Sequence, residues 1–183
     1  QMEDMISGCE QPLPRWDVLG MAELARVLDT PLIADQAITS ARDVALFAKL
    51  KAADVICLKL GPFGGITLTQ KALTVAQAHG LPCSIGAGHP LGIATSAMHQ
   101  FVAANPWIRL PIGYGSPLVL LKDDILADPI QVKGGTVEVR NGPGLGVELD
   151  DDKLKKYAYK VSVDHEKPVT VAIDRPRPWQ TGI

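Results

Sequence analysis

Three ionisable residues recur along the first third of this chain at nearly equal intervals, and each closes a short apolar run. They are Glu10, Asp35 and Lys59, which end the runs Met5–Cys9, Pro31–Ala34 and Ala53–Leu58. The intervals of 25 and 24 positions match the length of one strand, one loop and one helix. The recurrence therefore predicts repeated strand–helix units, with polar side chains at the carboxyl ends of parallel strands, where (β/α)₈ barrels keep their chemistry.

The segments between these runs carry helical periodicity. Apolar residues recur every three to four positions after Asp17, after Ser40, over Thr67–His79 and over Ile93–Ala104. Ser40 and Asp43 have the spacing of a capping box, and Gly80 is placed to end the third helix. The alternation predicts an α/β fold with parallel strands and right-handed crossovers. The predicted strands are Ile6–Glu10, Pro31–Ala34, Ala53–Leu58, Leu81–Ile85 and Arg109–Ile112.

The pattern changes after Asp128. Gly134 and Gly135 lie between two apolar stretches and predict a β-hairpin, and Asp151–Tyr157 predicts a short charged helix. We expect a helical element over Leu118–Leu126, a closely packed loop over 141–146, and an extended tail over Val161–Ile183. These features divide the chain into residues 1–128, which carry the strand–helix units, and a carboxyl-terminal extension of residues 129–183.

Composition narrows the range of partners and compartments. The net charge of −2 and the pI near 6.1 provide no basic face for nucleic acid or for an anionic membrane surface. No apolar segment approaches the roughly 20 residues that span a bilayer. Cys9, Cys57 and Cys83 lie in apolar runs without metal-ligand spacing, which favours reduced thiols in a cytoplasmic protein. Because Gln1–Met5 leads directly into a strand without a signal peptide, we expect further chain upstream.

Several motifs together resemble the enolase superfamily, in its mandelate racemase and muconate lactonizing enzyme branch. The matching motifs are Glu10-Gln11-Pro12, Ala34-Asp35, Leu58-Lys59 with Gly64-Gly65, and Gly142-Pro143-Gly144-Leu145-Gly146. Their order and spacing match across most of the chain, closest to the muconate lactonizing enzyme-like subgroup. The resemblance implies that residues 1–128 form the carboxyl-terminal half of a (β/α)₈-type (TIM-like) barrel, about strands 4 to 8. It also implies that residues 129–183 pack on a capping domain absent from this chain.

For the site, the resemblance implies a Mg²⁺ ion held by Glu10 and Asp35, with a further carboxylate ligand upstream. Mg²⁺ prefers hard oxygen ligands, and carboxylates on adjacent strand ends converge on one point. Lys59 matches the family's general acid/base lysine. Taken from the residues alone, either carboxylate could instead cap a helix or lie in solvent, and Lys59 could extend from a strand end to the surface.

Other residues around these three receive supporting roles. We expect Gln11 and Gln36 to lie around the metal ligands, and Gln36 stands where many relatives have Glu. Gly88 and His89 are candidates for substrate contact; His89 could also order its loop or form unremarkable loop structure, and proton transfer is the least favoured of its roles. Gly61, Gly64 and Gly65 could form a phosphate cradle, but neither a Walker motif nor a G-x-G-x-x-G pattern accompanies them.

The resemblance implies Mg²⁺-dependent removal of the proton α to a carboxylate, by a racemase, epimerase or cycloisomerase acting on a small carboxylate. The alternatives are a dehydratase of a hydroxylated acid, of the sugar acid or hydroxyproline type, and a non-catalytic fragment of such an enzyme. We also expect a homo-oligomer, because related barrels commonly assemble.

Overall fold

A computed structural model describes residues 5–112 and 121–158. It contains four strands, β1 (Cys9–Glu10), β2 (Leu32–Ala34), β3 (Val55–Leu58) and β4 (Cys83–Ile85). A helix follows each strand, and a fifth lies near the end of the described chain. The helices are α1 (Val18–Val27), α2 (Ala41–Leu50), α3 (Ile66–Ala78), α4 (Gly92–Ala104) and α5 (Asp151–Tyr157). In this part of the chain no helix is long and apolar enough to cross a membrane.

The four strands form one parallel sheet in the order in which they occur in the sequence. Glu10 pairs with Ile33 across β1 and β2, Ala34 pairs with Ile56 across β2 and β3, and Leu58 pairs with Ile85 across β3 and β4. The predicted parallel sheet with intervening helices is confirmed. Because every strand runs in the same direction, all four carboxyl ends meet at one edge of the sheet.

A single apolar core joins the sheet to the helices that cover it. Leu32, Ala34, Ile56, Leu58 and Ile85 of the strands are fully buried. On the helical side, the core takes up Met21 of α1, Val44 and Phe47 of α2, and Leu73 of α3. Complete burial of a side chain of this size stabilises the folded chain by about 1.5–3 kcal/mol. The core therefore fixes the strands whose ends carry the polar residues.

Helix ends are set by the residues that the sequence indicated. Asp17 caps α1 by accepting a hydrogen bond from the Gly20 backbone N–H at 2.9 Å. At α2, Ser40 Oγ accepts from the Asp43 N–H, and Asp43 Oδ2 accepts from the Thr39 N–H at 2.9 Å. Gly80 follows α3 with a φ of +72°, a left-handed conformation that glycine adopts without strain.

The predicted fifth strand, Arg109–Ile112, was wrong. Among the described residues, this region contributes one isolated parallel bridge, between Ile108 and Cys83. Pro106 and Pro111 flank it and have no backbone N–H, and the Ile108 N–H is used in a turn with the Asn105 carbonyl. Arg109, Leu110 and Pro111 are exposed, whereas Ile108, just before the predicted span, is buried, so the span does not lie in the core as a central strand would.

The carboxyl-terminal extension is less regular than predicted. The hairpin is reduced to one antiparallel bridge, Lys133 with Thr136, around Gly134 and Gly135, whose φ values are +57° and +76°. Over residues 121–126 the chain is not helical, because Leu126 instead forms an antiparallel bridge with Leu149. Helix α5 is confirmed as Asp151–Tyr157, whereas residues 118–120 and the predicted tail Val161–Ile183 lie outside the described residues.

We predict that Ser40→Ala lowers the free energy of unfolding by about 1 kcal/mol, because the first turn of α2 loses a capping acceptor. Hydrogen bonds from Thr39 and Ser40 lower the pKa of Asp43 below 3.8, although its partial burial alone would raise it. The contribution of the Asp43 carboxylate to the free energy of unfolding is therefore present above pH 3.8, and it is lost as the pH falls through the lowered pKa.

Urea unfolding of Ser40→Ala, Asp43→Ala and the double variant at pH 7 measures this coupling. The two residues share their hydrogen bonds, so the double variant should lose less than the sum of the single losses. Strict additivity would contradict a shared cap.

Candidate active site

The carboxyl edge of the sheet brings the predicted ionisable residues to one region. Glu10 is the last residue of β1, and Asp35 directly follows β2. Lys59 directly follows β3. Since β1, β2 and β3 are adjacent and parallel, the three side chains leave neighbouring strand ends, as the interval of about 25 residues predicts.

Asp35 and Lys59 are in direct contact. The Lys59 ammonium Nζ lies against Asp35 Oδ1, and the exposed fractions of the two side chains are 18% for Lys59 and 4% for Asp35. A carboxylate this deeply buried is strongly unfavourable unless a cation or several donors compensate it. Asp35 Oδ1 accepts no hydrogen bond of good geometry, so positive charge is what compensates this oxygen.

Glu10 is exposed at the end of the neighbouring strand. The negative charges of Glu10 and Asp35 both act on the pKa of the Cys57 thiol, as expected of carboxylates at neighbouring strand ends. Within residues 5–112 and 121–158, no group of three or more His, Cys, Asp or Glu side chains could hold a metal ion. Glu10 and Asp35 are the carboxylates at these two neighbouring strand ends, and carboxylate oxygens are ligands that suit Mg²⁺.

Gln11 holds the backbone on which Asp35 is carried. Its Oε1 accepts hydrogen bonds from the backbone N–H groups of Asp35 and Ala37, both at 3.1 Å, and its Nε2 donates to the Leu13 carbonyl at 3.0 Å. Gln11 itself adopts a φ of +41°, which is uncommon for a residue with a side chain. These bonds tie the loop after β1 to the loop after β2.

Three further candidates lie on loops at the same edge. Gln36 is exposed and follows Asp35, and Gly88 and His89 are exposed on the loop between β4 and α4. His89 has a left-handed φ of +52°. Among the described residues, Asp35 and Lys59 form an ion pair with each other, whereas Gln36, Gly88 and His89 share only their position at this edge of the sheet.

The glycine-rich turn after Lys59 directs the chain from β3 into α3. Gly64 and Gly65 have φ values of +84° and +109°, so other residues would be strained at these positions. The N–H groups of Phe63, Gly64 and Gly65 donate to the carbonyls of the loop's own residues Lys59, Gly61 and Leu60. Because these donors are already used, the phosphate-cradle alternative is disfavoured.

Cys57 belongs to this site, although the sequence suggested only an inert buried thiol. It lies two positions before Lys59 and thus on the same face of β3, and it interacts with Asp35 and Ser84. Burial raises the pKa of Cys57 to about 12, and the negative charge of Asp35 acts in the same direction. The alternation of side chains along β3 was the signal that could have identified it.

We predict that Cys57 and Cys83 resist alkylation in the folded protein. Burial raises both thiol pKa values to about 12, so at pH 8 only about one molecule in 10⁴ carries either thiolate. Cys9 is half-buried and should react first. Mass spectrometry after iodoacetamide treatment, with and without urea, provides the test, and rapid native labelling of Cys57 would contradict its buried position.

Comparisons with known proteins agree with this arrangement. A family model described as "Enolase C-terminal domain-like" matches residues 1–153. Muconate cycloisomerase 1 of Rhodococcus opacus is 34% identical over 148 residues, which cover 81% of this chain and 39% of that protein. N-succinylamino acid racemase of an Amycolatopsis species is 38% identical over 138 residues, covering 75% of this chain and 37% of the racemase. The chain thus spans about two fifths of the length of these relatives.

A solved variant of muconate cycloisomerase superposes with a TM-score of 0.82 at 27% identity, covering 86% of this chain and 44% of that one. This likeness confirms the predicted fold class. The strand–helix units described above form the carboxyl-terminal portion of a (β/α)₈-type barrel.

Proposed function

This chain belongs to the enolase C-terminal domain-like family, in its mandelate racemase and muconate lactonizing enzyme branch, and we propose that it contributes to Mg²⁺-dependent removal of a proton α to a carboxylate. The products would be those of a racemase, an epimerase or a cycloisomerase acting on a small carboxylate. The contact of Lys59 with the buried Asp35 carries the proposal, because it sets the nitrogen that would exchange the proton beside a carboxylate that a cation would compensate.

Glu10 and Asp35 are the residues that would hold the metal. Asp35 Oδ1 is buried, accepts no hydrogen bond of good geometry and lies against the Lys59 ammonium, so positive charge is what compensates this oxygen. When bound, Mg²⁺ supplies electrostatic stabilisation for negative charge that develops on the substrate carboxylate. Further ligands and a second base would come from chain outside these 183 residues, together with a capping domain.

Lys59 would move the proton. In its neutral amine form, Lys59 would use the Nζ lone pair to form a new N–H bond, giving the ammonium, while the C–H bond α to the carboxylate breaks and its electron pair passes into the substrate carboxylate. The buried body of β3 and the contact with Asp35 hold Nζ in place. Return of a proton on the opposite face would give racemisation or epimerisation. The cycloisomerase reaction would instead open or form a ring, by expelling a group from the carbon β to the carboxylate or adding it there.

The surrounding residues would orient rather than react. Gln11 fixes the Asp35 backbone through its two accepted hydrogen bonds. Gln36 is uncharged, so it would lie near the proposed metal ligands without adding a negative charge. Gly88 and His89 would contact the substrate from the loop after β4. We further propose that residues 129–183 pack on the capping domain, and that the enzyme is a cytoplasmic homo-oligomer.

Two alternatives remain distinguishable by experiment. A dehydratase would use the same proton removal and then expel a β-hydroxyl group. The second alternative is a non-catalytic role for the 183-residue chain.

The test is exchange of substrate α-protons for solvent deuterium by the full-length protein with Mg²⁺, followed by NMR. The probes are N-succinylamino acids, Ala-Glu dipeptides, muconates and a sugar acid. We expect exchange or turnover with at least one probe, and a loss of about 10²–10⁴-fold in Lys59→Ala. Lys71→Ala, which removes an exposed lysine of α3, is the matched control and should retain the wild-type rate. An unchanged rate in Lys59→Ala would remove Lys59 from this role.

Metal binding gives a separate prediction. Glu10→Gln and Asp35→Asn keep the side-chain volume but remove one anionic ligand each, so we expect Mg²⁺ affinity to fall by at least about tenfold in calorimetric titrations. Glu23→Gln, on the exposed surface of α1, should bind Mg²⁺ as the wild type does. Equal affinities in all four proteins would place the cation elsewhere.

A further inference from the structure

We infer that Asp124 is a positioning residue for the loop between β4 and α4, residues 86–91. The inference rests on the proposed function, in which Gly88 and His89 of this loop contact the substrate. Asp124 lies 32 residues beyond Gly92, in residues 121–149, which we call the carboxyl-terminal segment. Its side chain is buried, and the residue is 1% exposed. Its carboxylate is nevertheless placed at the first turn of α4.

The Asp124 carboxylate takes the place of a local helix cap. Leu91 precedes α4 and has no side-chain acceptor to offer. Asp124 Oδ1 accepts instead from the Gly92 N–H at 2.9 Å and from the Ile125 N–H at 2.7 Å. A carboxylate at this end satisfies a free backbone donor and interacts favourably with the helix dipole.

Gly92 is required here for space. A Cβ at this position would overlap both Asp124 Oδ2 and Leu126 Cδ1, and Leu126 is fully buried. The absent side chain lets the 124–126 segment lie directly on the start of α4. Close packing of this kind leaves the helix no room to shift while the segment stays in place.

Two more contacts continue this attachment along the same face of α4. Ser96 Oγ donates to the Leu145 carbonyl at 2.6 Å, and Gln100 Nε2 donates to the Arg140 carbonyl at 2.5 Å. Gly92, Ser96 and Gln100 are spaced four residues apart, so they share one helix face. The carboxyl-terminal segment therefore holds α4 over more than two turns.

The start of α4 is connected to His89 by a short and rigid path. Pro90 has a fixed φ, and its carbonyl accepts from Thr95 Oγ1 at 3.2 Å. His89 precedes it in a left-handed conformation with a φ of +52°. A shift of the first turn of α4 would consequently pass to His89 and Gly88.

The charge on Asp124 is the property to test. Asp124 Oδ2 is buried and has no hydrogen-bond partner among the described residues, so an amide at this position would bury an N–H₂ group without an acceptor. Asp124→Asn keeps the volume while removing the charge at the helix start. Asp152→Asn is the matched control, since it makes the same change in a carboxylate that is 96% exposed on α5 and lies 3.6 Å from Lys155.

The experiment measures amide hydrogen exchange by mass spectrometry and steady-state kinetics in the full-length protein. The kinetic probe is whichever carboxylate the wild type turns over. For Asp124→Asn we expect exchange over residues 86–95 to rise about tenfold or more, with no change in peptides that contain Glu10, Asp35 or Lys59. KM should rise at least about fivefold with kcat within about twofold, and Asp152→Asn should match the wild type in both measurements.

Unchanged exchange over 86–95 in Asp124→Asn would overturn the attachment. Raised exchange with an unchanged KM would overturn its link to substrate binding. If Asp124→Asn does not fold, Ser96→Ala tests the same segment, and unchanged exchange in that variant would also overturn the inference. A wild type that turns over none of the carboxylates counts against the proposed function, while the exchange comparison still decides whether Asp124 holds the loop.

Discussion

The structure depends on the parallel register between β2 and β3. Ala34 pairs with Ile56, so the next position along each strand sets Asp35 beside Cys57, with Lys59 about two strand positions, or roughly 7 Å, beyond. A lysine side chain can bend back over that distance, and its ammonium meets the buried carboxylate. A slip of one residue would turn Lys59 into the apolar core and expose Leu58, which the core does not permit.

The same register explains why the site is polar while its support is apolar. Leu58 faces the helices and is fully buried, whereas Cys57 and Lys59 face the other side. Cys57 is a small, uncharged side chain beneath the carboxylates, since burial and the nearby negative charges keep its thiol protonated. The neutral Cys57 thiol therefore adds no charge next to the Asp35–Lys59 ion pair and does not compete with Asp35 for Lys59.

Much of the barrel portion could be predicted from the sequence because its signals are local. The start of α2 follows from Ser40 and Asp43, and the end of α3 follows from Gly80. The intervals between Glu10, Asp35 and Lys59 indicated adjacent strand ends, and a sheet ordered as in the sequence requires that arrangement. Arg109–Ile112 was mispredicted because its apolar residues suggested a buried strand, whereas Arg109, Leu110 and Pro111 are exposed and Pro111 has no N–H for a ladder.

The contacts that escaped the sequence are long-range. Nothing near Leu91 indicates that Asp124 caps α4, or that Gly92 is small because Leu126 lies against it. Likewise, Gln11 could be assigned to the neighbourhood of the metal ligands, but its bonds to the Asp35 and Ala37 N–H groups depend on the pairing of β1 with β2. Such contacts arise only after the sheet and its crossovers are in place.

We propose that Glu10, Asp35 and Lys59 face one cation-binding site at the carboxyl edge of the sheet. Anomalous diffraction from crystals of the full-length protein grown with Mn²⁺, a hard cation that stands in for Mg²⁺, tests it most directly. We expect an anomalous peak within about 2.5 Å of carboxylate oxygens of both Glu10 and Asp35, with Lys59 Nζ facing the same cavity. A peak that involves neither carboxylate, or a Lys59 side chain directed to another surface, would contradict it.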